Sequence, residues 1–391
     1  MDQRVATATA RLLERRFQRT ASHIAWAPGR VNLVGGHVDY NDGVVLPAAI
    51  DRGIYVAAAA NQSNSIRVFS ELLGADFQVN AQEKIERVPQ ALQNWQNYIR
   101  GVFSAFQQQG LDLPGFDAVI CTTLPAGAGL GSSAAVEVAF ATLLTELCQC
   151  SMSPVQLVEL CRKAEHQFAR VPCGIMDQSA VVFGKTDHLL ALDCQSNTHQ
   201  HLPWPNNDAT LLVIHSNVRH QLADGSYADR RQQCADVLSQ LNVGSFRELK
   251  LESLPEFESQ LQPLEAKRLK HVMTEFQRCQ VAIDAIGRHD LATLGQQLFA
   301  SHDSLRDNFE VSCPQLDYLV DCGRKLSDSA GGVWGMRMTG GGFGGSVIAI
   351  VEPKRTEAVA RQITDQYQDR FEQITSWFTV RPCRGAECVR L

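Results

Sequence analysis

The sequence predicts an α+β fold built from more than one domain, and three observations carry that reading. At 391 residues the chain exceeds the size at which a single hydrophobic core stops growing, which points to two or three domains. Its short apolar runs and its helical runs are mixed, without the strict strand–helix alternation of a doubly wound sheet. A polar segment, residues 197–208 with Pro203 and Pro205, reads as a link between domains and sets their expected limits at 1–205 and 206–391.

The elements follow in chain order. Met1 to Phe17 has the spacing of an amphipathic surface helix. Strands are predicted over His23–Trp26, Gly53–Ala58 and Ser65–Phe69. Trp95–Gln109 reads as a helix, Asp117–Thr123 as an apolar strand, and Ala134–Leu144 as a helix without a breaker. Ser153–Ala169 is a further helix, with Ser153 as N-cap and Pro154 at the first helical position. His188–Asp193 and Thr210–Ser216 are strand candidates. A helix-rich stretch runs from about Tyr227 to Leu326. The strand Ser346–Val351, the helix Pro353–Asp369 and a strand near Phe378–Cys383 close the chain.

Composition excludes several classes. The net charge of −6 argues against nucleic acid or an anionic membrane as the main partner. There is no apolar run of membrane-spanning length and no secretory leader pattern. Most of the cysteines stand singly in apolar runs (Cys121, Cys161, Cys194, Cys322). The close pairs Cys148/Cys150 and Cys383/Cys388 lack the spacing of a zinc site. Reduced thiols in a cytoplasmic protein are the expectation.

One stretch organises the chain: Leu124-Pro-Ala-Gly-Ala-Gly-Leu-Gly-Ser-Ser-Ala-Ala-Val-Glu137, with a strand before it and a helix after it. Gly127, Gly129 and Gly131 let the backbone approach a ligand and turn its N–H groups inward, and the helix N-terminus adds positive potential at the same place. The product is an anion site of the phosphate-binding kind. At its end Ser132 and Ser133 offer hydroxyls, and that of Ser132 suits a phosphate-bound Mg²⁺. No G-x-x-x-x-G-K-[ST] occurs, so the P-loop class is excluded. Gly340-Gly-Gly-Phe-Gly-Gly345 matches G-x-G-x-x-G, but a β-branched run follows it instead of a helix. A second backbone wall beside a ligand is the expectation there.

Two further segments carry polar chemistry. Residues 27–43 crowd Arg30, Asn32, His37, Asp39, Asn41 and Asp42 among glycines, which reads either as a polyol-binding site or as a hydrophilic loop with Asx turns. Residues 164–178 hold Glu165 and Asp177. Glu165 falls on the helix begun at Ser153, where a solvated charge is the ordinary reading. Asp177 sits among Ile175, Met176 and Val181, either as a partly desolvated base or as a helix N-cap.

Taken in order, Gly29-Arg-Val-Asn-Leu-Val-Gly-Gly-His-Val-Asp-Tyr40, Leu124-Pro-Ala-Gly-Ala-Gly-Leu-Gly-Ser-Ser-Ala-Ala135 and Met338-Thr-Gly-Gly-Gly-Phe-Gly-Gly345 resemble the three motifs of the GHMP small-molecule kinases, in their galactokinase branch. Residues 94–98, 165–178, 216–220 with 227–231, and 304–313 resemble that branch too, so the likeness runs from about Ala27 to Val351. The resemblance implies a two-domain GHMP kinase fold with the active site between the domains. It implies ATP and Mg²⁺ as cofactors, a small sugar as the other partner, and a monomer or weak homodimer. It makes Asp177 the acceptor of the proton from the anomeric hydroxyl, with Arg30 beside it. Gly127, Gly129, Gly131, Ser132 and Ser133 would hold the phosphates, and Ser132 and Glu165 the metal. Gly36, His37, Asp39, Gly174 and Tyr227 would meet the sugar, and Trp95 would lie near the adenine.

Two departures stand out. The family pattern has Gly-Glu-His where this chain has Gly35-Gly36-His37, and that Glu is the family's contact to the sugar's C6 hydroxyl. Gly131 replaces the first serine of Gly-Leu-Ser-Ser-Ser, with Ser132 and Ser133 retained. Besides galactose phosphorylation, a kinase for a C6-altered sugar (L-arabinose, galacturonate, a 6-deoxy sugar) and a non-catalytic sugar and ATP sensor are the competing readings.

Overall fold

Residues 1–89, 94–218 and 226–391 are described by the structure, a computed structural model. Arg219 and His220 of the segment resembling galactokinases lie outside them. Three sheets organise the rest. In the first, α1 (Gln3–Phe17) packs on one face of a six-stranded sheet, β13-β1-β3-β6-β4-β5. Its strands are β1 (His23–Asn32), β3 (Pro47–Ala60), β4 (Ser65–Ser70), β5 (Ala75–Asn80), β6 (Phe116–Thr122) and β13 (Glu387–Arg390). The other face is covered by α2 (Asn94–Gln108) and α3 (Ser132–Leu147). The two-residue period of a strand divides the cores. Ala25, Ala27, Val56 and Ala58 enter the main core with Phe103 and Phe140, while Ile24, Trp26, Tyr55 and Ala57 face α1.

α4 (Pro154–Ala164) and α5 (Met176–Phe183) add to this half, and β2 (Val44–Val45), β7 (His188–Asp193) and β8 (Thr198–Pro203) make a small antiparallel sheet. The second half carries the four-stranded antiparallel sheet β10-β11-β9-β12, from β9 (Thr210–His215), β10 (Val333–Thr339), β11 (Ser346–Val351) and β12 (Ser376–Val380). Its helices are α6 (Ser226–Gln240), α7 (Leu254–Glu258), α8 (Pro263–Gly287), α9 (Leu291–Asp307), α10 (Pro314–Asp328) and α11 (Thr356–Phe371). The α+β expectation therefore holds, with mixed helices and sheets in two halves.

Several boundaries differ from the sequence reading for physical reasons. β1 does not end at Trp26. A register shift at Pro28/Gly29 bulges the strand, and pairing with β3 resumes as far as Asn32. A bulge re-aims side chains without ending the strand, and here it delivers Arg30 and Asn32 to the site. Residues 197–208 are more than a link, since β8 pairs with β7 over six residues and Trp204 is buried. Nor does the chain close near residue 383. β13 returns to pair with β1, so residues 387–390 belong to the first sheet and not to the domain expected over 206–391. Four residues are too short a strand to carry a periodic signal.

In the second half, helix and sheet meet closely at Gly295 of α9, where a Cβ would collide with the Trp334 carbonyl of β10 and lie 2.9 Å from the Gly335 nitrogen. Backbone cannot move aside as a flexible side chain can. Gly295→Ala is expected to destabilise by about 1–3 kcal/mol through overpacking, read as a lower urea midpoint at unchanged slope.

Candidate active site

Arg30, set by the bulge in β1, joins three segments that are remote in sequence. Its backbone N–H donates to the Leu130 carbonyl at 2.8 Å, and its Nη1 donates to the Gly129 carbonyl at 2.6 Å. Nε and Nη2 donate to the two carboxylate oxygens of Asp177 at 2.7 and 2.5 Å. Asp177 is not the N-cap of α5. Ile175 holds that place, and Asp177 lies in the first turn, where the helix dipole favours an anion. Nor does it sit in an apolar niche, because both of its oxygens accept from the Arg30 guanidinium.

The glycine loop has the form its sequence predicts. Gly127, Gly129 and Gly131 take φ of 71°, 72° and 73°. Gly131 is the N-cap of α3 and supplies no side-chain acceptor, so the first-turn N–H groups stay available to an anion. The third glycine segment packs on this loop backbone to backbone; a Cβ on Gly340 would stand 2.6 Å from the Gly129 carbonyl. The Asn32 N–H donates to Thr339 Oγ1 at 3.0 Å and joins the first segment to the third. Gly340 and Gly341 line the cavity as a second wall, and β11 follows them where a dinucleotide site needs a helix.

The opposite wall is aromatic and acidic. His37, at φ 59°, donates from Nε2 to the Gly341 carbonyl (3.0 Å) and accepts from the Tyr40 hydroxyl at Nδ1 (2.9 Å). Burial, then the neighbouring His271, pushes its pKa down to about 3, so the ring is neutral. Both ring nitrogens are thus committed to protein partners, and His37 presents ring surface to the cavity, close to the Tyr227 and Phe309 rings. Burial raises the Asp39 carboxyl to about 7, the Asp177 charge adds to the rise, and Arg30 opposes it. Gly174 does not line this cavity. It backs Asp39, whose carboxylate occupies the space a Cβ would need.

Glu165 ends in a different setting from the solvated helix charge. α4 stops at Ala164, and Glu165–Ala169 form a π-turn, a distortion frequent at functional sites. The carboxylate is buried, accepts from Gln178 Nε2 at 2.7 Å and from the Cys173 thiol at 3.4 Å, and has no ion-pair partner among the described residues. Burial, then the Asp177 charge, raises it to about 7. Gln178 also donates to the fully buried Glu137 at 3.2 Å. Ser132, Ser133 and Glu165 all line the cavity at the helix N-terminus, and the hydroxyl bonded to the Glu165 carboxylate is that of Ser133. A buried carboxylate with a hydroxyl beside it suits Mg²⁺, which takes few protein oxygens and completes its shell from phosphate and water.

Known proteins are similar to this chain over most of its length. The galactokinase galactose-binding signature matches residues 12–60, the GHMP kinases N terminal domain residues 97–185, and the GHMP kinases C terminal domain residues 282–369. A galactokinase of Mannheimia succiniciproducens is 37% identical over 92% of this chain and 93% of its own length. A galactokinase of Canis lupus familiaris is 39% identical over 87% and 86%. The chain belongs to the galactokinase family. Among solved structures, the Lactococcus lactis galactokinase complexed with galactose superposes with a TM-score of 0.92 at 28% identity, over 99% of this chain and 100% of that one. A mevalonate kinase, at 16% identity and TM-score 0.68 over 92% and 99%, shares the fold.

One cavity is lined by Arg30, Gly36, His37, Asp39, Gly127, Gly129, Gly131, Ser132, Ser133, Glu165, Asp177 and Tyr227, all expected from the galactokinase resemblance. Trp95 is outside it, edge-on to Phe77 at 5.4 Å. Tyr98, one turn further along α2, does line it and was missed, as were Gln178 and the buried Glu275 and Arg337 behind the first motif. In sequence, Glu275 and Arg278 read as an ordinary surface pair three residues apart, with no sign that α8 buries them.

The raised Asp39 carboxyl has a consequence for the ligand-free galactokinase fold. A carboxyl whose folded pKa exceeds its unfolded value of about 3.9 gives stability that is complete below the unfolded value and is lost as pH rises through the folded one. That contribution should fall between about pH 4 and pH 7, while the buried neutral His37, with its lowered pKa, acts in the opposite sense over the same range. Asp39→Asn removes only the first contribution, so its urea midpoint relative to the wild type should be higher at pH 8 than at pH 5.

Proposed function

We propose that the chain transfers the γ-phosphoryl group of ATP to the anomeric hydroxyl of galactose, giving galactose 1-phosphate and ADP. The observation that carries this reading is the Arg30–Asp177 pair, which stands where the phosphate loop meets the sugar wall. Phosphoryl transfer has a loose transition state and asks of the protein mainly positioning and charge neutralisation. Gly127 to Ser133 bind the phosphates through backbone N–H groups and the N-terminus of α3. Asp39 accepts hydrogen bonds from the sugar when ionised, and His37 and Tyr227 close the wall behind it. Asp177 holds the anomeric hydroxyl and accepts its proton as the new O–P bond forms. Arg30 keeps Asp177 aligned and carries its charge next to the transferring group. The Ser132 hydroxyl and the Glu165 carboxylate would hold Mg²⁺, which would neutralise phosphate charge when bound. Trp95 is the aromatic surface we assign to the adenine, one turn before Tyr98.

Retention of the whole constellation and the relatives' identity favour this activity over a sensor or a kinase devoted to a C6-altered sugar. The twelve cysteines, all unpaired in the structure, support a cytoplasmic setting.

ADP release on adding galactose is the direct test. Asp177→Asn should retain ATP binding and lose about 10²–10⁴-fold in kcat, the usual range for general base catalysis. A variant with near-normal kcat would leave Arg30 and charge neutralisation as the main agents. Ser132→Ala and Glu165→Gln should raise the Mg²⁺ concentration needed for half-maximal rate and weaken Mg²⁺–nucleotide binding by calorimetry, with less effect on sugar binding. Unchanged metal titrations in both would remove them as ligands.

A further inference from the structure

Tyr40 has no part in the reaction above. It is not among the residues lining the catalytic cavity. Its ring lies edge-on to His37, with centroids 6.0 Å apart, and edge-on to Tyr227 at 5.4 Å. Among the described residues its hydroxyl makes one hydrogen bond, to His37 Nδ1 at 2.9 Å.

The direction of that bond follows from the far side of the imidazole. His37 Nε2 faces the Gly341 carbonyl at 3.0 Å, and a carbonyl only accepts, so Nε2 carries a proton. Burial keeps the ring neutral, with its pKa pushed down to about 3, so Nδ1 is bare and must accept. Burial also raises the Tyr40 phenol well above its ordinary range, so the hydroxyl keeps its proton and donates. A directed chain results. It runs from the Tyr40 O–H to Nδ1, and from Nε2–H to the Gly341 carbonyl, and so ties the first motif to the third glycine segment.

The ring needs this hold. His37 is in the left-handed backbone region at φ 59°, which a residue with a Cβ keeps only where its surroundings over-determine it. Asn41 Nδ2 donates to the His37 carbonyl at 2.9 Å, and Gly341 takes the Nε2 proton. Neither contact supplies a donor to Nδ1; the Tyr40 hydroxyl does. In the other tautomer Nε2 would set a lone pair against the Gly341 carbonyl, and the two would repel. His37 and Gly341 both line the cavity, so their bond sets the spacing of two of its walls.

We propose that Tyr40 is a positioning residue for sugar binding. Its hydroxyl selects the Nε2-protonated tautomer of His37 and so holds that ring, joined to Gly341, as a fixed face of the sugar site. The identity of the sugar rests on the galactokinase reading.

Tyr40→Phe removes the hydroxyl alone and keeps the ring. Nitrogen NMR of the ligand-free full chain, with the His37 signals identified by their loss in His37→Gln, should show one tautomer in the wild type, protonated at Nε2. Tyr40→Phe should lose that single-tautomer signature. Its KM for galactose should rise about three- to tenfold, the scale of one neutral hydrogen bond, with kcat and the KM for ATP within about twofold of wild type. His37→Gln supplies the second arm, because its amide still offers a donor to Gly341 and has no tautomer to select. In that background Tyr40→Phe should change the galactose KM by less than about twofold, so that the double-mutant cycle assigns nearly the whole effect to the pair. An unchanged nitrogen signature or galactose KM in Tyr40→Phe, or the same penalty with and without His37, would overturn the assignment. Folded wild type that releases no ADP with galactose would overturn the galactokinase reading instead; the nitrogen signature, read without sugar, still decides whether Tyr40 sets the ring.

Discussion

The active site depends on one guanidinium. Arg30 is bonded to Asp177 through two nitrogens and to the phosphate loop through a third, while its own N–H holds the loop from the strand side. Segments separated by about a hundred residues therefore share one rigid reference. The planar fork of arginine fits a carboxylate at two points, and a lysine would offer a single swivelling charge. Asp177 would otherwise bring a third unbalanced carboxylate close to Asp39 and Glu165, both of which burial already drives toward the neutral form.

Carboxylates and backbone donors are brought together in one cavity. Asp39, Glu165 and Asp177 line it along with the glycine loop and the α3 terminus, and Glu137 of α3 is linked to Glu165 through Gln178. Burial of so many carboxylates costs stability in the empty protein, and ligands relieve it: sugar hydroxyls donate to the carboxylates, and a cation with its phosphates balances the rest. Ligand binding should therefore stabilise this fold beyond what contact area alone implies.

Much of this was legible in the sequence because the chemistry is local there. The glycine loop is a strand, a run of positive-φ residues and a helix N-terminus, all within twenty residues. The apolar strands β6, β9 and β11 announce themselves by burial on both faces. The less legible parts are those made by tertiary context. β1 hides its last six residues behind Pro28 and Gly29, because a bulge looks like a strand end. Glu165 looks like an exposed helix charge because a π-turn cannot be seen in helical spacing. Glu275 and Arg337 are remote from the first motif in sequence, and only the packing of α8 and β10 brings them behind Gly35 and Gly36. The resemblance sets His37 against the sugar; in the structure its ring lines the cavity while its ring nitrogens serve Tyr40 and Gly341.

The pairing of β13 with β1 has a consequence for how the molecule is made. The two ends of the chain meet, with the Met1 amino group 3.5 Å from Glu387. β1 is made long before β13, so during synthesis its outer edge stays open until residues 387–390 have emerged. An open edge is a template for pairing with other chains. The first sheet therefore stays incomplete while the second half is made, and closes only when β13 pairs with β1.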